Sequence, residues 1–237
     1  MLKKGALDEF CEMLDTYGGR DKVIRTLCYT TKLACGLYQE SDPDFSKRLG
    51  IFSGRMSATR ATLRLLDDWP MFQQTLRYGL GHREPDKAMA VMGVLANIVD
   101  NIYYPVEKVC WLAEHRIISV KEPSKWDTAS SICWVLSIFL NLLRILRNIT
   151  IMEQYSKSLT KSSNDSNRDE RRKLLWKQQQ EMLSVVRLSL DFTQAVSTLP
   201  GGYLWGGKLS TLQIGAIGTV SSFIGLYQYF AKKNGPA

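Results

Sequence analysis

Between Lys208 and the pair Lys232–Lys233, the chain passes through Leu209–Phe230 without one charged residue. Twenty-two helical residues rise roughly 33 Å, enough to cross a hydrocarbon core of ~30 Å. In hydrocarbon a single segment satisfies its own backbone groups only as a helix, so this stretch is read as a membrane segment. Trp205, Tyr227, Tyr229 and Phe230 stand near its ends, as interfacial aromatics do. Within it Thr211, Gly215, Gly218, Ser222 and Gly225 follow at spacings of 4, 3, 4 and 3 and share one helix face, while Ile217, Val220 and Ile224 lie opposite. Small residues in a stripe let another helix approach closely. The expected partner is the other membrane segment or a second copy of the chain; the alternative is a glycine-rich span with chance spacing.

A second uncharged run, Thr128–Leu143, continues through Arg144 into Ile145–Leu146. It is shorter than the ~20 residues a span commonly needs, but Lys125 and Trp126 precede it, and Arg144 and Arg147 close it where they can snorkel toward headgroups. A span over 127–147 and a buried core helix both fit. Ser156–Lys173 is rich in Ser, Asn and charge and is read as a flexible linker. A polar helix from about Leu174 to Leu199 follows, with Leu175, Met182, Val186, Leu190 and Val196 on its drier side, and Pro200-Gly201-Gly202 ends it. The expected division is therefore 1–126 amphipathic, 127–147 membrane, 148–208 linker and helix, 209–230 membrane, and a tail at 231–237.

Residues 1–126 read as amphipathic helices, with no strand of clear alternation. Leu7, Phe10, Cys11, Leu14 and Tyr17 give the first, stopped by Gly18-Gly19. A second spans about Asp21 to Tyr38, and a fourth runs from near Asp86 to about Arg116 with a bend at Pro105. The third, Phe45–Asp68, ends at Pro70. Its Phe45, Leu49, Phe52, Met56, Thr59, Leu63 and Leu66 repeat at 4, 3, 4, 3, 4 and 3 as one apolar stripe. Arg48 and Arg55 flank the stripe on one side, Arg60 and Arg64 on the other, and no acidic residue occurs in Phe45–Leu66. An apolar centre with cationic rims is the pattern of a helix lying in the bilayer interface, where each arginine gains roughly 1 kcal/mol from anionic lipid. The same seven-residue period suits a helix–helix seam.

Formal charge is +8 and the pI about 9.2, which suits an anionic partner. The basic residues are spread over several helices without a nucleic-acid reader motif, so a membrane face is favoured over nucleic acid. Cys11, Cys28, Cys35, Cys110 and Cys133 form no CxxC pair, and His82 and His115 have no ligand at metal spacing. Asp67-Asp68 is a carboxylate pair whose members point apart on a helix. With no GxSxG, P-loop, HExxH or GxGxxG pattern, an enzyme, a cofactor or a metal site is not expected. Acidic residues follow Met1-Leu2-Lys3-Lys4 at once, and Asn234-Gly235-Pro236-Ala237 is neither an SKL nor a KDEL address, so targeting is expected to be internal.

The residues taken in order resemble the peroxin-11 family of peroxisomal membrane proteins, and most its gamma branch. The likeness runs through Tyr17-Gly-Gly-Arg20-Asp21-Lys22 with Ile24-Arg25, Thr62–Asp68, Tyr78-Gly-Leu-Gly81, Tyr103-Tyr104-Pro105 with Glu107 and Trp111, and Ser124-Lys-Trp126. It continues through Leu199–Trp205 and Gly218–Ser222 to Tyr227-Gln228. The resemblance implies an all-α membrane protein of the peroxisome, multi-pass, with both termini cytosolic. It implies elongation of the membrane before fission, self-association and association with other family members, and cooperation with the fission-1 adaptor and a dynamin-related GTPase. By position, the family's membrane-active helix falls on Phe45–Leu66. Lys157, Lys161, Arg168, Arg171, Arg172, Lys173 and Lys177 crowd the 148–208 segment, which the positive-inside tendency would hold in the cytosol; the resemblance places it in the lumen, and that placement is adopted. Two other functions stay open: a pore, with Ser210, Gln213, Thr219 and Gln228 as lining candidates that do not form one stripe, and an adaptor that recruits the division machinery.

Overall fold

The computed structural model describes residues 5–160 and 166–233. The charged start at 1–4, residues 161–165 of the expected linker and the tail residues 234–237 lie outside the described residues. The protein is an all-α membrane protein. Its helices are α1 (Ala6–Leu14), α2 (Tyr17–Tyr38), α3 (Pro43–Leu63), α4 (Asp68–Tyr78), α5 (Lys87–Glu114), α6 (Pro123–Thr160), α7 (Ser166–Ser197) and α8 (Thr211–Lys233), with a 3-10 turn at Arg64–Leu66. They form two compact units, one of residues 1–63 with 209–227, the other of 64–208 with 228–237.

In the first unit, Gly18 and Gly19 do not stop a helix as expected; they lie in the first turn of α2. Thr16 caps that turn, accepting from the Gly19 N–H at 3.1 Å. A Cβ on Gly19 would fall 1.9 Å from the Met13 carbonyl oxygen, so glycine is what lets α1 end directly against the start of α2. Pro43 opens α3, and Asp42 Oδ1 accepts from the Phe45 N–H at 3.0 Å. Helix α3 lies on α2 through two serines seven residues apart. The Ser46 hydroxyl donates to the Cys35 carbonyl (2.8 Å) and the Ser53 hydroxyl to the Cys28 carbonyl (2.9 Å). Short side chains whose only polar atom is satisfied by the facing backbone bring the two helices close without leaving a buried orphan.

The expected helix Phe45–Asp68 is interrupted where the second unit starts, and Pro70 falls inside α4 instead of breaking α3. It occupies the first turn, where an N–H has no acceptor within the helix. Helix α4 runs beside α5: Lys108 pairs with Asp68 at 2.6 Å, Asn101 donates to Thr75 at 2.7 Å, and Tyr78 lies over Gly93, where a Cβ would meet the phenol oxygen at 1.9 Å. Asp86 caps α5, accepting from the Met89 N–H at 2.9 Å, and Pro105 lies inside that helix.

The linker expected over Ser156–Lys173 is largely helical in the described residues: α6 continues to Thr160 and α7 begins at Ser166. Composition misread it because polar side chains here support helix ends. Lys157 pairs with Glu153 one turn away (2.8 Å), and Tyr155 donates to Glu170 across to α7 (2.6 Å). On α7, Leu175, Met182 and Val186 are exposed; the buried stretch is Gln194–Ser197 with Asp191.

Among the described residues, two helices are long and apolar enough to cross a membrane: α6, which carries the expected segment 127–147, and α5. Helix α5 lies within the region read as amphipathic. Its Asn101, Glu107 and Lys108 are engaged by α4, the 3-10 turn or their own helix, which leaves Val91, Leu95, Ile98 and Ile102 as an unbroken exposed apolar ridge. Helix α8, formed by the expected segment 209–230, is not one of the two; its glycines, serines and glutamines dilute its apolar content.

Candidate membrane-shaping surface

Helix α3 has three faces. Ser46 and Ser53 bury against α2, and one further heptad along, Arg60 Nε donates to Asp21 Oδ1 at 2.7 Å. The apolar stripe lies beside this seam and is not the seam itself. Phe45 and Phe52 are 42% and 43% exposed, while Leu49, Met56 and Leu63 are half-buried. Phe45 stacks edge-on to Tyr38 at 5.1 Å, which fixes the start of the stripe. The third face carries Lys47, Arg48, Ile51 and Arg55, all exposed. Helix α3 ends at Leu63, so Leu66, 72% exposed, belongs to the 3-10 turn and not to the stripe's helix.

The four arginines expected on the rims divide. Arg48 and Arg55 remain exposed beside Phe52. Arg60 is held by Asp21, and Arg64 by Glu107 at 2.5 Å, a carboxylate that also accepts from the Tyr103 hydroxyl at 2.8 Å. The two engaged arginines are partly buried and have an internal counter-ion, so they are spent on packing. The sequence shows the charges; it does not show acids 39 and 43 residues away.

The stripe on α8 meets α2. A Cβ on Gly215 would lie 2.4 Å from the Leu33 backbone nitrogen, and one on Gly218 2.3 Å from the Tyr29 ring. From α2, Gly36 answers with an equally close approach to Leu212, and Arg25 donates to the Ser221 hydroxyl at 2.9 Å. Gly215, Gly218, Ser222 and Gly225 are buried, whereas Thr211 is exposed. Within the chain, the helix that meets this face is α2, from the other end of the sequence. Of the pore-lining candidates, Thr219 is buried and Gln228 donates to the Gln180 carbonyl and the Ser184 hydroxyl, each at 2.9 Å; Ser210 and Gln213 hydrogen-bond each other. Arg144 and Arg147, expected to snorkel, pair with Glu84 (3.3 Å) and Asp86 (2.6 Å) ahead of α5. The Arg147 guanidinium, with the Met89 N–H after it, holds the Asp86 carboxyl below its ordinary range. All five cysteines are free thiols.

The family model described as Peroxisomal biogenesis factor 11 (PEX11) matches residues 7–230. The chain is similar to Peroxisomal membrane protein 11C of Homo sapiens, 37% identical over 227 residues that cover 94% of each chain. It is 33% identical to the Mus musculus protein of the same name, over 94% of this chain and 93% of the relative. It is 25% identical to Peroxisomal membrane protein PMP27 of Saccharomyces cerevisiae over 93% of each. No solved structure matches the chain significantly. A match across nearly all of an all-α chain with two apolar helices leaves one assignment: the protein belongs to the peroxisomal biogenesis factor 11 family, and its role lies in the biogenesis or proliferation of peroxisomes.

Proposed function

We propose that the protein elongates the peroxisomal membrane ahead of division, with α3 as the wedge. The observation that carries this is the exposed edge of α3, where Phe45 and Phe52 stand beside Arg48 and Arg55 on a helix that two serines already hold to α2. The aromatic rings enter the acyl boundary, the guanidinium groups engage anionic headgroups, and the added volume in one leaflet favours curvature. Segment 127–147 of α6 anchors the chain, which is multi-pass with both termini cytosolic. Self-association concentrates the wedge, and the fission-1 adaptor and dynamin-related GTPase act on the resulting tubule.

The test overproduces the full chain in cells and measures peroxisome length. Wild-type protein elongates or multiplies the organelles, and Phe52→Glu with Met56→Glu abolishes this while the protein still reaches the membrane. In parallel, a Phe45–Leu66 peptide becomes helical on anionic vesicles at low salt. A peptide indifferent to such vesicles rules out the wedge; unit conductance steps in planar bilayers would instead favour a pore.

A further inference from the structure

The exposed positions of α4 fall on two different edges. Trp69, Phe72 and Leu76 are 70%, 51% and 67% exposed, and their spacings of 3 and 4 place them in one sector. Gln73, Gln74 and Arg77 are exposed along the other edge. Between the two, Met71 is buried and Thr75 and Tyr78 meet α5. The helix therefore has a packed face, an apolar edge and a polar edge, and neither short length nor composition marked it as a membrane element.

The apolar edge does not end at α4. An open groove of about 420 Å³ lies between α4 and α5, lined by Asp68, Trp69, Phe72, Asn101, Tyr104 and Pro105. At 100° per residue, Pro105 falls between Asn101, which faces α4, and Ile98, which starts the exposed ridge of α5. Trp69 and Phe72 thus stand on the same side of the pair as Ile98 and Ile102, which are 50% and 52% exposed. Since α5 is one of the two helices apolar enough to cross a membrane, the groove is continuous with a surface suited to hydrocarbon. Left in water, such a surface is an aggregation liability; its volume is of the order that encloses a modest apolar ligand.

We propose that the groove between α4 and α5 seats an acyl chain of a bilayer phospholipid, which makes α4 a second lipid-contacting element, independent of the wedge on α3. Trp69 and Phe72 form one bank, Tyr104 and Pro105 the other, and the Gln73–Arg77 edge faces away from hydrocarbon.

The test reconstitutes the full chain in phosphatidylcholine vesicles that contain a phosphatidylcholine with a diazirine on its acyl chain. After irradiation, adducts are located residue by residue by mass spectrometry. Labelling of Trp69, Phe72, Leu76 and Pro105 is expected to exceed that of Gln73 and Arg77 several-fold. Trp69→Ser with Phe72→Ser lowers the label on Tyr104 and Pro105 several-fold and leaves the label on Leu136 and Phe139 of α6 unchanged, with unaltered helical content by circular dichroism. The proposal is overturned if α4 stays unlabelled while α5 and α6 are labelled, the result a protein occupant such as a second copy would give. It is equally overturned if both edges of α4 label alike, or if the double variant leaves the groove's label unchanged.

Discussion

Single glycines in this chain carry opposite signs. Gly54 lies exposed on α3, and a Cβ added there meets nothing within 4 Å. Gly54→Ala is expected to raise stability by roughly 0.5–1 kcal/mol, because alanine loses less backbone entropy in a helix. Gly215→Ala places its methyl 2.4–2.5 Å from the Leu33 backbone nitrogen and Cα, atoms that cannot rotate aside. It is expected to cost roughly 1–3 kcal/mol. Thermal unfolding of the purified protein in detergent reads both, and a Gly215 variant as stable as wild type would mean that α8 does not press on α2. The stripe that holds Gly215 was legible as a 4-3-4-3 pattern; the helix it meets was not, since spacing states a close approach and leaves the partner open. Asp86 adds a pH prediction. Its carboxyl is held low chiefly by the hydrogen bond from Arg147, so its contribution is present above the unfolded value near pH 4 and is lost as pH falls through the lower folded value. Asp86→Asn keeps a competent cap on α5 but removes that titration, and unfolding midpoints measured between neutral and strongly acid pH should show a shallower acid decline in the variant.

At the scale of elements, α3 and its neighbours show what periodicity can and cannot see. The apolar stripe was visible as a seven-residue repeat, but the seam with α2 is made by Ser46 and Ser53, residues a hydrophobic pattern ignores. The rim arginines were visible as charges, and only the fold separates free from engaged ones. Arg48→Gln with Arg55→Gln is therefore expected to weaken binding to anionic vesicles by roughly 1 kcal/mol per residue without lowering the melting temperature. Arg60→Gln with Arg64→Gln should do the reverse, since it takes the counter-ion from Asp21 and from Glu107. Vesicle co-sedimentation and thermal melts on the same preparations distinguish the two pairs; equal losses of binding would return all four arginines to the lipid surface. Helix α5 escaped the hydropathy reading for a related reason. Its Asn101, Glu107 and Lys108 look costly in a one-dimensional window, and they are satisfied by Thr75, Arg64 and Asp68 from segments that precede it.

At the scale of the whole molecule, the first unit is closed by a contact that spans almost the entire sequence. Arg25 and the Ser221 hydroxyl are 196 positions apart, and the first unit is assembled from residues 1–63 with 209–227. No local signal in either segment announces this, because α2 reads as an ordinary amphipathic helix and α8 as a membrane anchor in its own right. In the fold, α8 closes the face of α2 that Tyr29, Leu33 and Gly36 present, and it does so with glycines too small to stand alone as a core. Removing residues 209–237 should therefore open α2 and take from the other unit the Gln228 contacts to α7, while α4, α5 and α6 keep their contacts with one another. Hydrogen exchange on the truncated protein in detergent is expected to quicken in Val23–Ala34 by at least about tenfold, the factor equivalent to ~1.4 kcal/mol. Peptides from α5 and α6 should exchange at the wild-type rate, because Asp68–Lys108, Glu84–Arg144 and Asp86–Arg147 remain intact. Adding back α8 in trans should restore part of the protection if the glycine face alone directs it. Unchanged exchange in α2 after truncation would show that α1–α3 hold themselves together, and the small-residue face of α8 would then have to be assigned to the membrane rather than to the N-terminal helices.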